Sequence, residues 1–139
     1  MDDSIIKVSA EIGQENYLTN VYSDTHHLFA DEPLDLGGKN VGMSPYELLC
    51  SSLASCTLIT LKMYCDRKEW DFGPMKITLE LSPKKVGKDL VVTINRNIIL
   101  TTRVDIDTSS RLIQIANSCP ISKILKAGNH IINTEVIYE

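Results

Sequence analysis

The stretch Ser44-Pro45-Tyr46-Glu47-Leu48-Leu49-Cys50-Ser51-Ser52-Leu53-Ala54-Ser55-Cys56-Thr57-Leu58-Ile59-Thr60-Leu61 decides how the rest of the chain is read. It opens on a helix start: Ser44 suits the N-cap, Pro45 the first helical position, and Glu47 completes a capping box. The helix is expected to run to about Lys68, where charged Asp66 to Glu69 precede Gly73-Pro74. At 1.5 Å per residue its 20-plus residues span about 30 Å or more. Leu49, Leu53, Cys56, Thr60 and Met63 share one face. From Leu48 to Leu61 no side carries charge, and Ser51, Ser52, Ala54 and Ser55 are small. A helix uncharged all round is expected to be buried all round. A chain of 139 residues can hardly do that alone, so the pattern predicts packing against the same helix of a second copy.

The flanking sequence supplies strands and shorter helices. Two strands with a hairpin turn near Gly13 to Asn16 are expected between Ile5 and Tyr22, and a third extended segment near Thr25 to Phe29. Asp31 to Met43, with Pro33, Gly37, Gly38 and Gly42, reads as a loop. Beyond the helix, Met75 to Leu81 alternates as a strand, Pro83 to Asp89 is a basic turn, and Leu90 to Leu100 is the second arm of an antiparallel hairpin. A helix starts at Asp107 to Ser110 and breaks at Asn117-Ser118. Cys119-Pro120 opens a short helix ended by Gly128, and Ile131 to Tyr138 reads as a final strand. The expectation is a single α+β domain over residues 1–139, with antiparallel sheet backed by helices.

Composition narrows the function. The chain is 43% hydrophobic and 23% charged, with aromatics at only 6%, so Ile, Leu and Val must build the core. Net charge is −4 and the basic residues are scattered, which argues against a nucleic-acid partner. Met1-Asp2-Asp3-Ser4 lacks the positive start of a secretory signal. The charge-free run is short and rich in serine and threonine, so no membrane span is expected. These features point to the cytoplasm. There, four cysteines are buried fillers, metal ligands or transient redox groups rather than structural disulfides.

Cys119 precedes Pro120 and so falls at a helix N-cap, where free N–H groups and the helix dipole favour a thiolate. The plainer alternative is a small residue at a helix junction. Cys56 lies on the core face, where a cysteine is ordinarily inert packing. On a straight helix Cys50 is turned about 120° and Cys65 about 180° from Cys56, so neither is its close partner. A metal site is disfavoured: there is no Cys-x-x-Cys, and adjacent His26 and His27 point opposite ways on a strand. No phosphate loop and no nucleophile elbow occur, and nothing implies a cofactor.

Asp31-Glu32-Pro33, Leu36-Gly37-Gly38 and Gly42-Met43-Ser44-Pro45-Tyr46-Glu47-Leu48-Leu49, leading to Leu53-Ala54-Ser55-Cys56-Thr57, together with Ile115-Ala116-Asn117-Ser118-Cys119-Pro120, resemble the OsmC/Ohr family, in its Pro-Tyr-Glu-Leu-Leu branch. The resemblance covers roughly Val8 to Glu139. It implies an intertwined homodimer, sites at the subunit interface, and a thiol peroxidase that reduces organic hydroperoxides or another small apolar substrate. It makes Cys56 the attacking thiol and Cys119 the resolving thiol, with a dithiol donor restoring the reduced state. Two departures stand out. The family's peroxidases hold the thiolate with an N-terminal arginine paired to a glutamate at the start of the long helix. This chain has no arginine before Arg67, which leaves Arg96 as the substitute cation. The family glutamate aligns nearer Tyr46, and Glu47, half a revolution from Cys56, also serves as the helix cap. Without a positioned cation, a buried Cys56 is expected to have a raised pKa. Two rivals remain: a non-enzymatic dimeric binding module with thiols as packing, and a hydrolase or transferase pairing Cys56 with His26 or His27 across the interface. Sulfurs of Cys56 and Cys119 close enough to bond favour redox use.

Overall fold

The computed structural model describes residues 4–139. Two compact units divide the chain, Met1–Cys50 and Ser51–Glu139.

In the first unit, β1 (Ser9–Ile12), β2 (Thr19–Tyr22) and β3 (His27–Ala30) form an antiparallel meander in sequence order. The turn at Gly13 to Asn16 and the third strand fall where alternation and turn residues placed them. The loop that follows is organised by one carboxylate. Asp31, only 2% exposed, accepts the backbone N–H groups of Glu32 (2.8 Å), Val41 (3.1 Å), Tyr17 (3.2 Å) and Lys39 (3.3 Å). Backbone crowds in so tightly that a Cβ at Gly38 would stand 2.0 Å from the Glu32 carbonyl oxygen, and one at Gly42 2.0 Å from that of Phe29. Only glycine fits either place.

The long helix α1 (Pro45–Lys68) starts as expected. The Ser44 N–H donates to the Glu47 carboxylate (3.0 Å) and the Glu47 N–H to the Ser44 hydroxyl (3.3 Å), which closes the capping box. α1 is long and apolar enough to cross a membrane, with mean hydropathy 1.4, yet it packs as a core helix. Its buried residues are Leu53, Thr57, Leu61, Tyr64 and Cys65. That face is displaced by one residue, about 100°, from the Leu53, Cys56, Thr60, Met63 face expected. Polar side chains explain the shift. Thr57 and Tyr64 accept hydrogen bonds from Arg96 and Arg111, each at 2.9 Å, so they can be buried although hydropathy alone places them outside. Within the single chain the rest of the helix is left uncovered. Ser52 and Ser55 are exposed, and Ile59 and Met63 remain 54% and 62% exposed.

In the second unit, β4 (Met75–Val86) and β5 (Asp89–Leu100) form a two-stranded antiparallel ribbon. The strands are longer than the sequence suggested, and Pro83 lies inside β4 opposite Val92. A two-stranded ribbon consists only of edge strands, so a proline there costs no ladder bond on its outer side. One face of the ribbon packs against the helices. Leu61, Cys65 and Leu112 form the core cluster, with Trp70, Phe72, Met75, Ile98, Leu100 and Ile115 around it. Helix α2 (Ile106–Asn117) is capped by Asp105, which accepts the Thr108 N–H at 2.8 Å. Helix α3 (Pro120–Ala127) follows directly and ends at Gly128, whose φ of +71° is a left-handed cap. The strand expected at Ile131 to Tyr138 is not formed. That segment has no secondary structure, and Ile131, Ile132, Val136, Ile137 and Tyr138 are 75–90% exposed. A strand exists only where a neighbour accepts and donates its backbone bonds, and among the described residues no strand pairs with it. The architecture is α+β, with antiparallel sheets and one long helix.

The Val41 N–H is the strongest influence holding the Asp31 carboxyl below its usual range; burial opposes it, and the other three N–H groups add to the lowering. Stability from this group is therefore fully present above the unfolded carboxylate value of about 3.9 and is lost as pH falls through the lower folded value. Asp31→Asn should lower the thermal midpoint at pH 7, and the difference from wild type should narrow below about pH 4. Parallel melting curves across pH check this.

Candidate functional site

Every side chain of the site described here belongs to the second unit. Cys119 occupies the N-cap of α3 in extended backbone, with φ −63° and ψ 144°. Pro120 at the first helical position fixes the chain for helix and has no N–H of its own. The next two N–H groups therefore point outward toward the cap. The Ser122 N–H donates to Cys119 Sγ at 3.4 Å, and the Ile121 N–H reaches the sulfur of Cys56. The two thiols lie close enough to alter one another's acidity. Thus α1, carrying Cys56, and the start of α3, carrying Cys119, bring two sulfurs far apart in sequence close together at a helix N-terminus. Cys119 is completely buried, and Cys56 is half-buried.

Arg96 stands behind Cys119. On β5 it is paired with Leu79 and shares the inward alternation of Ile94, Ile98 and Leu100. Its Nη1 donates to Ser122 Oγ (2.8 Å), Thr57 Oγ1 (2.9 Å) and the Ala116 carbonyl (3.3 Å), and its Nη2 donates to Asn117 Oδ1 (3.0 Å). A guanidinium donates and never accepts. Each hydroxyl must therefore receive from Arg96 and turn its own proton elsewhere. The Ser122 hydroxyl has the Ala116 carbonyl at 3.4 Å as an acceptor, and its closeness also lowers Cys119. Thr57 stands 3.8 Å from Cys119 Sγ but has the Leu53 carbonyl at 2.7 Å as a competing acceptor. The firmest partner of Cys119 is the Ser122 backbone N–H, at 3.4 Å.

The two thiols are pushed in opposite directions. Burial raises Cys56, and its hydrogen bond and charge contact with Cys119 raise it further, against lowering by the Ile121 N–H and the Thr60 hydroxyl. Burial is also the largest influence on Cys119 and raises it. The Ser122 hydroxyl and N–H, the Cys56 thiol and the Thr57 hydroxyl together outweigh it, so Cys119 lies below an ordinary thiol. Cys65 is raised by burial and belongs to the apolar core.

The candidates read from sequence are distributed as follows. Cys56, Cys119 and Arg96 are brought into one cluster, with the donors of Arg96 directed at the hydroxyls beside Cys119. Glu47 lies in the first unit and caps α1. Sequence reasoning missed Thr57 and Ser122. Both had a signal: Ser122 is the N3 residue of a helix capped by Cys119, and Arg96 occupies a core-facing register position that demands polar partners. His26 and His27 are bonded to Thr25 (3.0 Å) and Asn20 (2.9 Å). Among the described residues no His, Cys, Asp and Glu cluster is arranged to hold a metal. A cleft of about 500 Å³ between Leu58, Ile59, Lys62, Met63 and Gly73 to Met75 is apart from the thiols. A smaller cavity of about 240 Å³, lined by Leu53, Val92, Ile94, Leu125 and Lys126, borders Arg96 and Ser122.

The fold is met in solved structures. The OsmC like protein of Mycoplasma pneumoniae superimposes with a TM-score of 0.72 at 17% identity over 91% of each chain. An organic hydroperoxide resistance protein OsmC from Legionella pneumophila gives 0.71 at 18% identity over 91% of this chain and 93% of the other. An organic hydroperoxide resistance protein from Elizabethkingia anophelis, crystallised with bound thiocyanate, gives 0.67 at 21% identity over 91% of this chain and 93% of its own. At these identities the likeness is one of fold. No curated protein matches the sequence. The model of the OsmC-like protein family matches residues 37–134, a span that holds α1 through α3 and both paired cysteines, and on that match the chain belongs to the OsmC-like protein family.

Proposed function

We propose that this protein is a thiol-dependent peroxidase that reduces organic hydroperoxides and works as a homodimer in the cytoplasm. The observation that carries the proposal is the closeness of Cys56 and Cys119 at the N-terminus of α3, where each thiol alters the acidity of the other. The half-buried Cys56 is the sulfur that meets the peroxide. As thiolate it attacks the outer peroxide oxygen, the O–O bond breaks, and the alcohol leaves. Cys56 is left as sulfenic acid. Cys119 attacks that sulfur, water or hydroxide departs, and the disulfide closes. A dithiol donor completes the cycle. Glu47 contributes by starting the helix that presents Cys56, and Arg96 by placing a cation within one hydroxyl of the pair.

The homodimer is supported by what the chain leaves uncovered. Ser52, Ser55, Ile59 and Met63 run down one exposed stripe of α1. The segment from Ile131 to Tyr138 offers five exposed apolar side chains in sequence for pairing with another chain. An equivalent helix and a partner sheet would satisfy both.

Treatment of reduced protein with cumene hydroperoxide, followed by peptide mapping, should find one main disulfide, Cys56–Cys119, within the chain. Cys50 or Cys65 in the main disulfide would contradict the assignment. Because Cys56 is raised, its thiolate fraction is small at neutrality, and the first oxidation step should accelerate steadily as pH rises above 7. For the assembly, sedimentation at micromolar concentration should give a dimer. Ser55→Arg should bury an unpaired charge at about 3–5 kcal/mol and shift the protein to monomer or unfold it. A folded wild-type monomer at that concentration would overturn the dimer.

A further inference from the structure

The structure assigns the leaving thiolate of the reductive half-reaction to Cys119, with Ser122 and Thr57, positioned by Arg96, as the groups that receive its charge, so that the dithiol reductant attacks Cys56. This rests on the disulfide cycle proposed above and goes beyond it by stating which sulfur is attacked, which one leaves, and what Arg96 is for.

Three features of the geometry carry the assignment. The first is access: Cys119 is 0% exposed while Cys56 is half-buried, so an external thiol reaches only Cys56. The second is the supply of donors. Cys119 is met by the Ser122 N–H, the Ser122 hydroxyl and the Thr57 hydroxyl, whereas Cys56 has the Ile121 N–H and the Thr60 hydroxyl. The third is charge. The hydrogen-bond partners of Arg96 are two hydroxyls, a carbonyl and an amide oxygen, all neutral. A half-buried cation so surrounded favours negative charge nearby. The two hydroxyls it organises both border Cys119. The opposite displacements of the two thiols agree with this placement.

The step balances. The thiolate of a half-ionised dithiol attacks Cys56 Sγ and a new S–S bond forms. The Cys56–Cys119 bond breaks, and its electron pair stays on Cys119 as thiolate. The second thiol of the reductant then attacks its own sulfur in the mixed disulfide, closes the oxidised cyclic product, and gives its proton to Cys56. One dithiol is oxidised, one protein disulfide is reduced, and the pair ends as Cys56 thiol with Cys119 thiolate. The rate of such exchange rises as the leaving thiol's pKa falls, and depends on which sulfur is reachable.

The test uses protein oxidised by diamide, so its outcome does not depend on peroxidase activity. Three readouts are taken. A monothiol, 2-mercaptoethanol, should be trapped as a mixed disulfide on Cys56; adducts predominantly on Cys119 would overturn the assignment. Ultraviolet thiolate absorbance of the reduced protein should show a step below the ordinary thiol value of about 8.5. That step should persist in Cys56→Ser and vanish in Cys119→Ser, and its survival in Cys119→Ser would place the charge on Cys56. Reduction of the disulfide by dithiothreitol should slow about tenfold in Arg96→Ala, with its thiolate step moved upward and partial recovery of both in Arg96→Lys. Unchanged rate and titration in folded Arg96→Ala would remove the role of Arg96. A protein that forms no Cys56–Cys119 disulfide even with diamide would sink the redox cycle itself, a failure distinct from each of these.

Discussion

The second unit is organised around a single half-buried guanidinium. Arg96 sits in the inward register of β5, where its neighbours Ile94 and Ile98 are apolar. A cation there is tolerated only if its donors are met, since an unmet buried charge costs several kcal/mol. Hydrogen bonds to a charged group contribute about 1.5–3 kcal/mol each. The acceptors come from three helices: Thr57 on α1, Ala116 and Asn117 at the end of α2, and Ser122 in the first turn of α3. Satisfying Arg96 therefore fixes where α1 crosses the ribbon and where α2 hands over to α3. The junction between α2 and α3 is Ser118-Cys119, so the same requirement that anchors the helices puts Cys119 against α1.

The chemistry follows from that anchoring. Cys119 is fully buried, which by itself would keep it protonated, but it is bordered by donors beside Arg96. Cys56, one helical position before Thr57, lies beside it and is half-buried. Their surroundings displace two cysteines of the same ordinary acidity in opposite directions, Cys56 upward and Cys119 downward. In the peroxidase pattern implied by the OsmC/Ohr resemblance, an arginine near the N-terminus serves the attacking sulfur. In this chain the proposed cation comes from β5, and its bonds run to the hydroxyls of Thr57 and Ser122 beside the other sulfur. The proposed cost is a slower attack on peroxide at neutral pH, and the proposed gain is a sulfur that leaves and re-attacks readily.

Much of this was legible in the sequence. The capping box at Ser44 and Glu47, the proline after Cys119 and the alternation through Met75 to Leu81 and Leu90 to Leu100 each report a local physical demand, and each element formed where that demand lies. The two cysteine motifs were specific enough to name the family. The long helix was misread by one residue because hydropathy treats Thr57 and Tyr64 as outward-facing. Their burial depends on Arg96 and Arg111, which are distant in sequence. The last segment was misread because alternation shows that a stretch can become a strand, and says nothing about which chain will pair with it. Thr57 and Ser122 escaped for a related reason: a hydroxyl acquires a role only when a fold brings a charged partner to it.

The proposal that Cys56 and Cys119 act as one redox unit is tested most directly by stopped-flow mixing of fully reduced protein with one equivalent of cumene hydroperoxide, followed by thiol counting, with hydrogen peroxide as the comparison. The organic hydroperoxide should be consumed faster than by a free thiol, with loss of two thiols per peroxide and retention of Cys50 and Cys65. Reaction no faster than a free thiol, or loss of a single thiol with Cys56 left as sulfenic acid, would contradict it.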